Sequence, residues 1–194
     1  MTSQFPSSSD ADYSYVELAA QTGMLQLLPE DATAVTNMLV SNTGSKDSIK
    51  AIRKWILDRA HSTVHIAHIV CEVVGSNTER GFDFVLRTLY VVNDVFYQTS
   101  SASSRGTYTT HCLATEQPVD IVRIFLPYVA LVLQCVSMSA GAPQRDKLEK
   151  LLALWGAKGF LLPPQLEAML GVLRQQPPVG FVEGAQGEVW SNAS

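Results

Sequence analysis

Charge is what this chain has least of. Asp, Glu, Lys and Arg make up 16% of its 194 residues, where a soluble domain carries roughly a quarter. Either its charged surface is small or part of it is uncharged tail. Its 14 basic and 18 acidic side chains leave a net charge of −4, which excludes a protein that holds nucleic acid strongly by bulk electrostatics. Cysteine is also scarce. Cys71, Cys112 and Cys135 are odd in number and far apart, and no pair has metal-ligand spacing. That pattern reads as reduced thiols in an intracellular protein. The N-terminus lacks a basic region followed by an apolar one, so it is not expected to be a secretory signal. Catalytic signatures are missing too: the chain has no G-x-S-x-G, P-loop, C-x-x-C or H-E-x-x-H. Asp83 and Asp94 would lie about three helical turns apart, too far for a hydrolytic pair. The expectation is a non-enzyme with no cofactor and no metal.

Residues 124–144, IFLPYVALVLQCVSMSAGAPQ, contain no charge, and their length alone suggests a membrane span. Pro127, Gln134, two serines and a glycine interrupt the run, and no basic cluster marks a cytoplasmic end. A buried core helix is expected, and no membrane partner.

What the chain does have is apolar residues at helical spacing. Pro29 suits the first turn of a helix running to about Val40. Ser45 is a plausible N-cap for a second, in which Ile49, Ile52, Ile56 and Ala60 recur with Trp55 alongside. Ser62 could cap a third, whose stripe is Ile66, Ile69, Val70, Val73 and Val74. A fourth, Phe82 to about Tyr97, is apolar almost all round and should be central. A fifth follows Pro118. A sixth runs from Arg145 to Trp155 and ends at Gly156 and Gly159. Pro163-Pro164 opens a seventh through Leu173. The fold class is all-α, with a helical domain over 14–174. Residues 1–13 read as a Ser-rich tail, 175–194 as a second tail, and the Ser/Thr-rich segment 98–118 as a mobile insertion.

The few charges are unevenly placed. Residues 45–60 hold Lys46, Lys50, Arg53, Lys54 and Arg59 against Asp47 and Asp58; residues 145–158 hold Arg145, Lys147, Lys150 and Lys158 against Asp146 and Glu149. Either both helices are ordinary solvated faces, or they meet around an anionic ligand. On the fourth helix, Asp83, Arg87, Tyr90 and Asp94 share one face. A helix so apolar has few reasons to keep Tyr90, Asn93 and Asp94 together. Their polar groups need partners, supplied either by neighbouring helices or by a bound peptide. His61, His65, His68 and Glu72 are spaced 4, 3 and 4, but covering a helix face is a better reading than zinc.

Three segments are similar to a known family. LRTLYVVNDVFY, then KLEKLLALWGAKGFL, with TGSKDSIKAIRKWILDRAHSTVHIAHIVCEVV upstream, resemble the RNA polymerase II C-terminal-domain-interacting domain (CID). The Ser-Lys-Asp-Ser-Ile start and Trp-Ile-Leu are most like the CIDs of SURP-motif splicing proteins. The likeness covers roughly 29–173. It implies a right-handed superhelix of about eight helices, related to the VHS and ENTH folds. A groove between the second, fourth and penultimate helices would hold the heptad-repeat tail of the polymerase in a β-turn. Tyr90, Asn93 and Asp94 would face that peptide, with Asn93 or Asp94 accepting from a heptad hydroxyl and Tyr90 packing on the turn. Ser45 and Lys46 would lie near backbone or phosphate, and Lys150 would meet a phosphoserine. The implied partners are phosphorylated heptads and splicing or RNA-processing proteins, in the nucleus. Two departures stand out. Asn93-Asp94 replaces the commoner Asp-Ser, and Lys150 replaces an arginine that can grip phosphate with two parallel bonds. Two further readings are a VHS/ENTH-like trafficking adaptor and a structural subunit of a splicing complex with a vestigial groove.

Overall fold

The computed structural model describes residues 24–103 and 120–174. The expected tails, Cys112 and most of the 98–118 segment lie outside the described residues. Among those described there are seven α-helices and no strand: α1 Pro29–Val40, α2 Lys46–Asp58, α3 Thr63–Gly75, α4 Phe82–Ser103, α5 Ile121–Ser137, α6 Ala142–Ala157 and α7 Pro163–Arg174. Short 3-10 turns, Ala60–Ser62 and Thr78–Arg80, precede α3 and α4. Most of the packing runs from a helix to the next but one, α1 on α3, α2 on α4, α3 on α5 and α5 on α7, while α4 also packs on α5 and α6 on α7. This is how a layered helical array winds forward.

The apolar spacing explains which helices are central. In α3, nine residues from Thr63 to Val74 are buried. In α4, Phe84, Leu89, Val91, Val92, Val95 and Phe96 are buried on several sides. The uncharged run becomes α5, whose Phe125, Val129, Val132, Leu133 and Val136 are buried. No helix among the described residues is long and apolar enough to cross a membrane. Phe96 is the hub of the aromatic core. Its ring lies 5.0 Å from Trp155, 5.8 Å from Phe160 and 6.2 Å from Phe125.

Several ends differ from those expected. Pro29 does open α1, and Ser45 does cap α2, its Oγ accepting from Ser48 N–H at 3.2 Å. Ser62 caps nothing. It is buried in the 3-10 turn, and its Oγ makes no hydrogen bond. Helix α4 continues six residues past Tyr97, and Thr99 Oγ1 donates back to the Val95 and Phe96 carbonyls. Helix α6 starts three residues early, where Gln144 Oε1 accepts from Gly141 N–H. Gly156 does not end α6. A Cβ there would come within 2.7 Å of Leu166, so this glycine lets α7 approach closely. The chain turns at Gly159, with φ +73°.

Two junctions orient the elements around the site. At the first, buried Asn42 gives its Nδ2 to the Arg87 carbonyl, while its Oδ1 accepts from Gly44 N–H and Ser48 Oγ. Arg87 answers with Nη1 on the Asn42 carbonyl. Its side chain lies across Gly44, where φ is +76° and an added Cβ would sit 2.7 Å from Cδ. At the second, Met24–Leu28 lies along α3. Leu25 N–H reaches the His61 carbonyl, and Leu27 N–H donates to His65 Nδ1 at 3.0 Å.

Gly44→Ala is expected to cost about 1–3 kcal/mol, because it adds backbone strain and displaces Arg87. Gly159→Ala meets open space and should cost about 1 kcal/mol. Urea unfolding of both variants checks the order; equal losses would contradict the Arg87 contact. A second expectation concerns pH. Burial first, then His68, holds His65 below the ordinary value of 6.5. The unfolded chain therefore binds the proton more readily than the folded one. This contribution to stability is complete above 6.5 and is lost as pH falls through the depressed value. Unfolding of wild type and His65→Asn at pH 7.5 and 5.5 should show a smaller acid loss in the variant; equal losses would count against it.

Candidate functional site

Residues 46, 49, 50 and 53 lie on one face of α2, because they are three or four apart. Opposite them α4 presents Tyr90, Asn93 and Asp94. Between the two helices is a cleft of about 400 Å³, lined by these seven residues and Gly44. Four residues singled out from the sequence, Lys46, Tyr90, Asn93 and Asp94, are thus brought together. Ser45 is at its edge as the α2 cap. Lys150 is not in the lining. It is 75% exposed on α6, with Nζ 2.7 Å from Asp146.

The electrostatics of the cleft are one-sided. Arg53 Nη1 lies 2.7 Å from Asp94 Oδ2, and both side chains are mostly shielded from solvent. That pair neutralises the inner end. Lys46 and Lys50 have no carboxylate at ion-pair distance among the described residues, so the outer end is positive. Helix α6 contributes no residue to the lining of this cleft. Lys150 pairs with Asp146, Glu149 accepts from Nε and Nη2 of Arg174 at 3.3 Å, and Arg145 Nη2 donates to the Ser137 carbonyl. Among the described residues each helix thus keeps two lysines without a carboxylate at ion-pair distance: Lys46 and Lys50 on α2, which line the cleft, and Lys147 and Lys158 on α6, which lie over the Phe82 and Tyr97 rings.

The polar cluster on α4 is partly an internal network. Trp155 Nε1 donates to Asn93 Oδ1 at 2.8 Å. An indole N–H can only donate, so Trp155 takes one lone pair of the Asn93 carbonyl oxygen, and the Asn93 amide N–H groups remain. Asn93 can therefore donate to a ligand through that amide, and the second lone pair of its carbonyl oxygen can accept from a hydroxyl, the role that the family likeness implies. Asp94 uses one oxygen for Arg53, leaving the other as an acceptor. Tyr90 is 40% exposed and offers its ring face. Ile49 supplies an apolar patch on the opposite wall.

Ile49, Lys50, Arg53 and Gly44 were not singled out as site residues. Their signal was present in the i, i+3, i+4, i+7 relation to Lys46. The other candidate chemistry goes elsewhere. His65 Nδ1 is taken by Leu27 N–H, and His68 is buried with Glu72 Oε2 at 3.5 Å and Tyr128 edge-on. Among the described residues no three His, Cys, Asp or Glu side chains are grouped to hold a metal. Burial, with smaller contributions from Cys135 and Glu72, pushes the Cys71 thiol up to about 12. Burial raises Cys135 as well. Both thiols are protonated at neutral pH and are poor nucleophiles.

Trp155→Phe would keep an aromatic ring against Phe96 but orphan the Asn93 carbonyl. The expected loss is about 1–3 kcal/mol, measured by urea unfolding. A loss well below 1 kcal/mol would show that ring packing alone matters here.

The comparisons with known proteins bear on the same segments. The family model described as CID domain matches residues 33–169, more than half of the chain, and takes in α1 through most of α7 with both walls of the cleft. No curated protein and no solved structure is a match to the chain. The matched family is an interaction module and not a family of enzymes. On the strength of that match and the all-helical fold, the chain belongs to the CID domain family, modules that bind the C-terminal tail of RNA polymerase II.

Proposed function

We propose that the α2–α4 cleft reads phosphorylated heptads of the polymerase tail, and that the protein thereby brings RNA-processing or splicing factors to transcribing polymerase in the nucleus. The observation that carries this reading is the pairing in one cleft of two lysines without a carboxylate partner among the described residues, Lys46 and Lys50, with exposed Tyr90 and the polar pair Asn93 and Asp94. A Tyr/Ser/Pro-rich phosphopeptide needs that combination: a ring face for its apolar turn, an acceptor for a hydroxyl, donors for its backbone and cations for its phosphate.

The roles follow from what each group has free. Tyr90 and Ile49 flank the apolar turn. The Asp94 oxygen not held by Arg53 accepts from a heptad hydroxyl. The Asn93 amide donates to a heptad carbonyl. Lys46 and the Ser45-capped start of α2 receive the phosphate, since helix N-termini favour anions, and Lys50 adds a second charge. Lys150 contributes only by leaving Asp146. An exposed pair of this kind is worth little, about 0–1 kcal/mol, so the exchange is feasible. Its ammonium then acts as a point charge and not as a fork. The likeness to SURP-motif splicing proteins supports the splicing side of this proposal.

Fluorescence polarisation with two-repeat heptad peptides tests it, using unmodified peptide and peptide phosphorylated at the second-position or the fifth-position serine. Phosphate-dependent binding is expected. Asp94→Asn should weaken every peptide about tenfold, the worth of a hydrogen bond to a charged group. Lys46→Ala with Lys50→Ala should abolish the preference for phosphate and flatten the salt dependence. No binding of any peptide at high micromolar protein would sink the proposal and favour a structural subunit with an idle groove.

A further inference from the structure

A second cleft, of about 360 Å³, opens between the start of α6 and the end of α7. Ala142, Arg145, Asp146 and Glu149 line it from α6, where spacings of three and four place them on one face. Leu173 and Arg174 line it from α7. None of the six belongs to the α2–α4 cleft. Leu173 is buried and supplies an apolar wall; most of the rest is charge.

Those charges do not cancel. Asp146 is answered from outside the lining by Lys150, 2.7 Å away. Glu149 accepts from Arg174 at 3.3 Å, longer than the roughly 2.7–2.9 Å of a strong charge-assisted bond, and the Arg174 side chain is 59% exposed. Arg145 has no carboxylate at ion-pair distance among the described residues. Its Nη2 makes a long 3.3 Å bond to the Ser137 carbonyl, and its Nε is buried without an acceptor. Such an orphaned donor calls for an explanation. The cleft thus keeps one positive charge in excess, on a guanidinium with N–H groups to spare. The first turn of α6, where Ala142 lies, adds the positive end of a helix dipole. A carboxylate matches a guanidinium with two parallel bonds. A phosphate dianion would set twice the charge against Asp146 and Glu149. The cleft is also far larger than a carboxylate alone, and its Leu173 wall suits an apolar neighbour.

We propose that the α6–α7 cleft is a docking site for an acidic peptide segment of a partner protein, its carboxylate meeting Arg145 and Arg174 and an adjacent apolar side chain lying on Leu173. The site stands apart from the α2–α4 cleft and does not depend on the polymerase reading. With both occupied, one molecule holds two ligands.

The test is an NMR titration of the full chain that follows the arginine Nε–H signals. The probes are acetyl-leucyl-glutamyl-leucine amide, its glutaminyl analogue and its phosphoseryl analogue. The glutamyl peptide should shift Arg145 and Arg174 to saturation, and the glutaminyl one should bind at least about tenfold more weakly. Arg145→Gln should weaken the glutamyl peptide by about tenfold or more, and Arg174→Gln by about two- to fivefold. Glu149→Gln removes a competing carboxylate and should tighten it about two- to fivefold. This variant and Arg174→Gln change a largely exposed pair, so they keep the test decisive even where Arg145→Gln fails to fold. The double variant Lys46→Ala, Lys50→Ala should bind the glutamyl peptide as the wild type does. No saturation with any probe would overturn the proposal, as would equal binding of the glutaminyl peptide. Tighter binding of the phosphoseryl peptide would make this a phosphate site instead. Shifts centred on Lys46 and Lys50, or Glu149→Gln weakening the peptide, would contradict it too.

Discussion

The hydrogen bond from Trp155 Nε1 to Asn93 Oδ1, 2.8 Å long, is the constraint on which the site depends. Helix α4 is buried on most sides, so apolar packing alone would leave its rotation about its own axis weakly specified. A polar group in such a helix must find its partner or cost about 1–3 kcal/mol. With Asn93 held by Trp155, only one rotation satisfies it. That rotation turns Tyr90 outward and brings Asp94 to Arg53. The fully buried indole is held in turn by Phe96 at 5.0 Å, and Phe96 by Phe125 and Phe160. Each such pair adds about 0.5–1.5 kcal/mol beyond area burial. The core thus decides the chemistry of the cleft.

The opposite wall is set by a second network. Asn42, Gly44, Ser48 and Arg87 join the start of α2 to the middle of α4 through hydrogen bonds of 2.8–3.2 Å. Since Arg87 is on α4, one turn before Tyr90, the two walls are referenced to the same helix. What remains outside these networks is charge: among the described residues Lys46 and Lys50 have no carboxylate at ion-pair distance, and both line the cleft. A cation left unpaired at a cleft lined by an aromatic ring attracts anions from solution over about a Debye length, roughly 8–10 Å at physiological salt.

Much of this could be read from the sequence where one residue type has one local use. Pro29, Ser45 and Pro163 mark helix starts because proline suits the first turn and serine caps it. The apolar spacing of Ile66 to Val74 marks α3. Other features depend on partners distant in sequence. Gly156 looks like a stop, and only the approach of Leu166 shows it to be a packing position. The Ser and Thr residues after Tyr97 suggest a loop, yet Thr99 bonds back into its own helix and α4 runs on to Ser103. In the site, Tyr90, Asn93, Asp94 and Lys46 were legible from their grouping. The hydrogen bond that holds Asn93 was not, since Trp155 is 62 residues away. The self-pairing of Lys150 is legible in principle, as Asp146 lies at i−4.

The central claim is that α2 and α4 form the binding surface. A nitrogen–proton NMR titration of the full chain with a two-repeat heptad phosphopeptide tests it most directly. The account predicts that the largest shift changes fall on Gly44, Lys46, Lys50, Tyr90 and Asn93, together with the Trp155 indole N–H behind them. Changes confined to α6 and α7, around Arg145, Lys150 and Arg174, would contradict it.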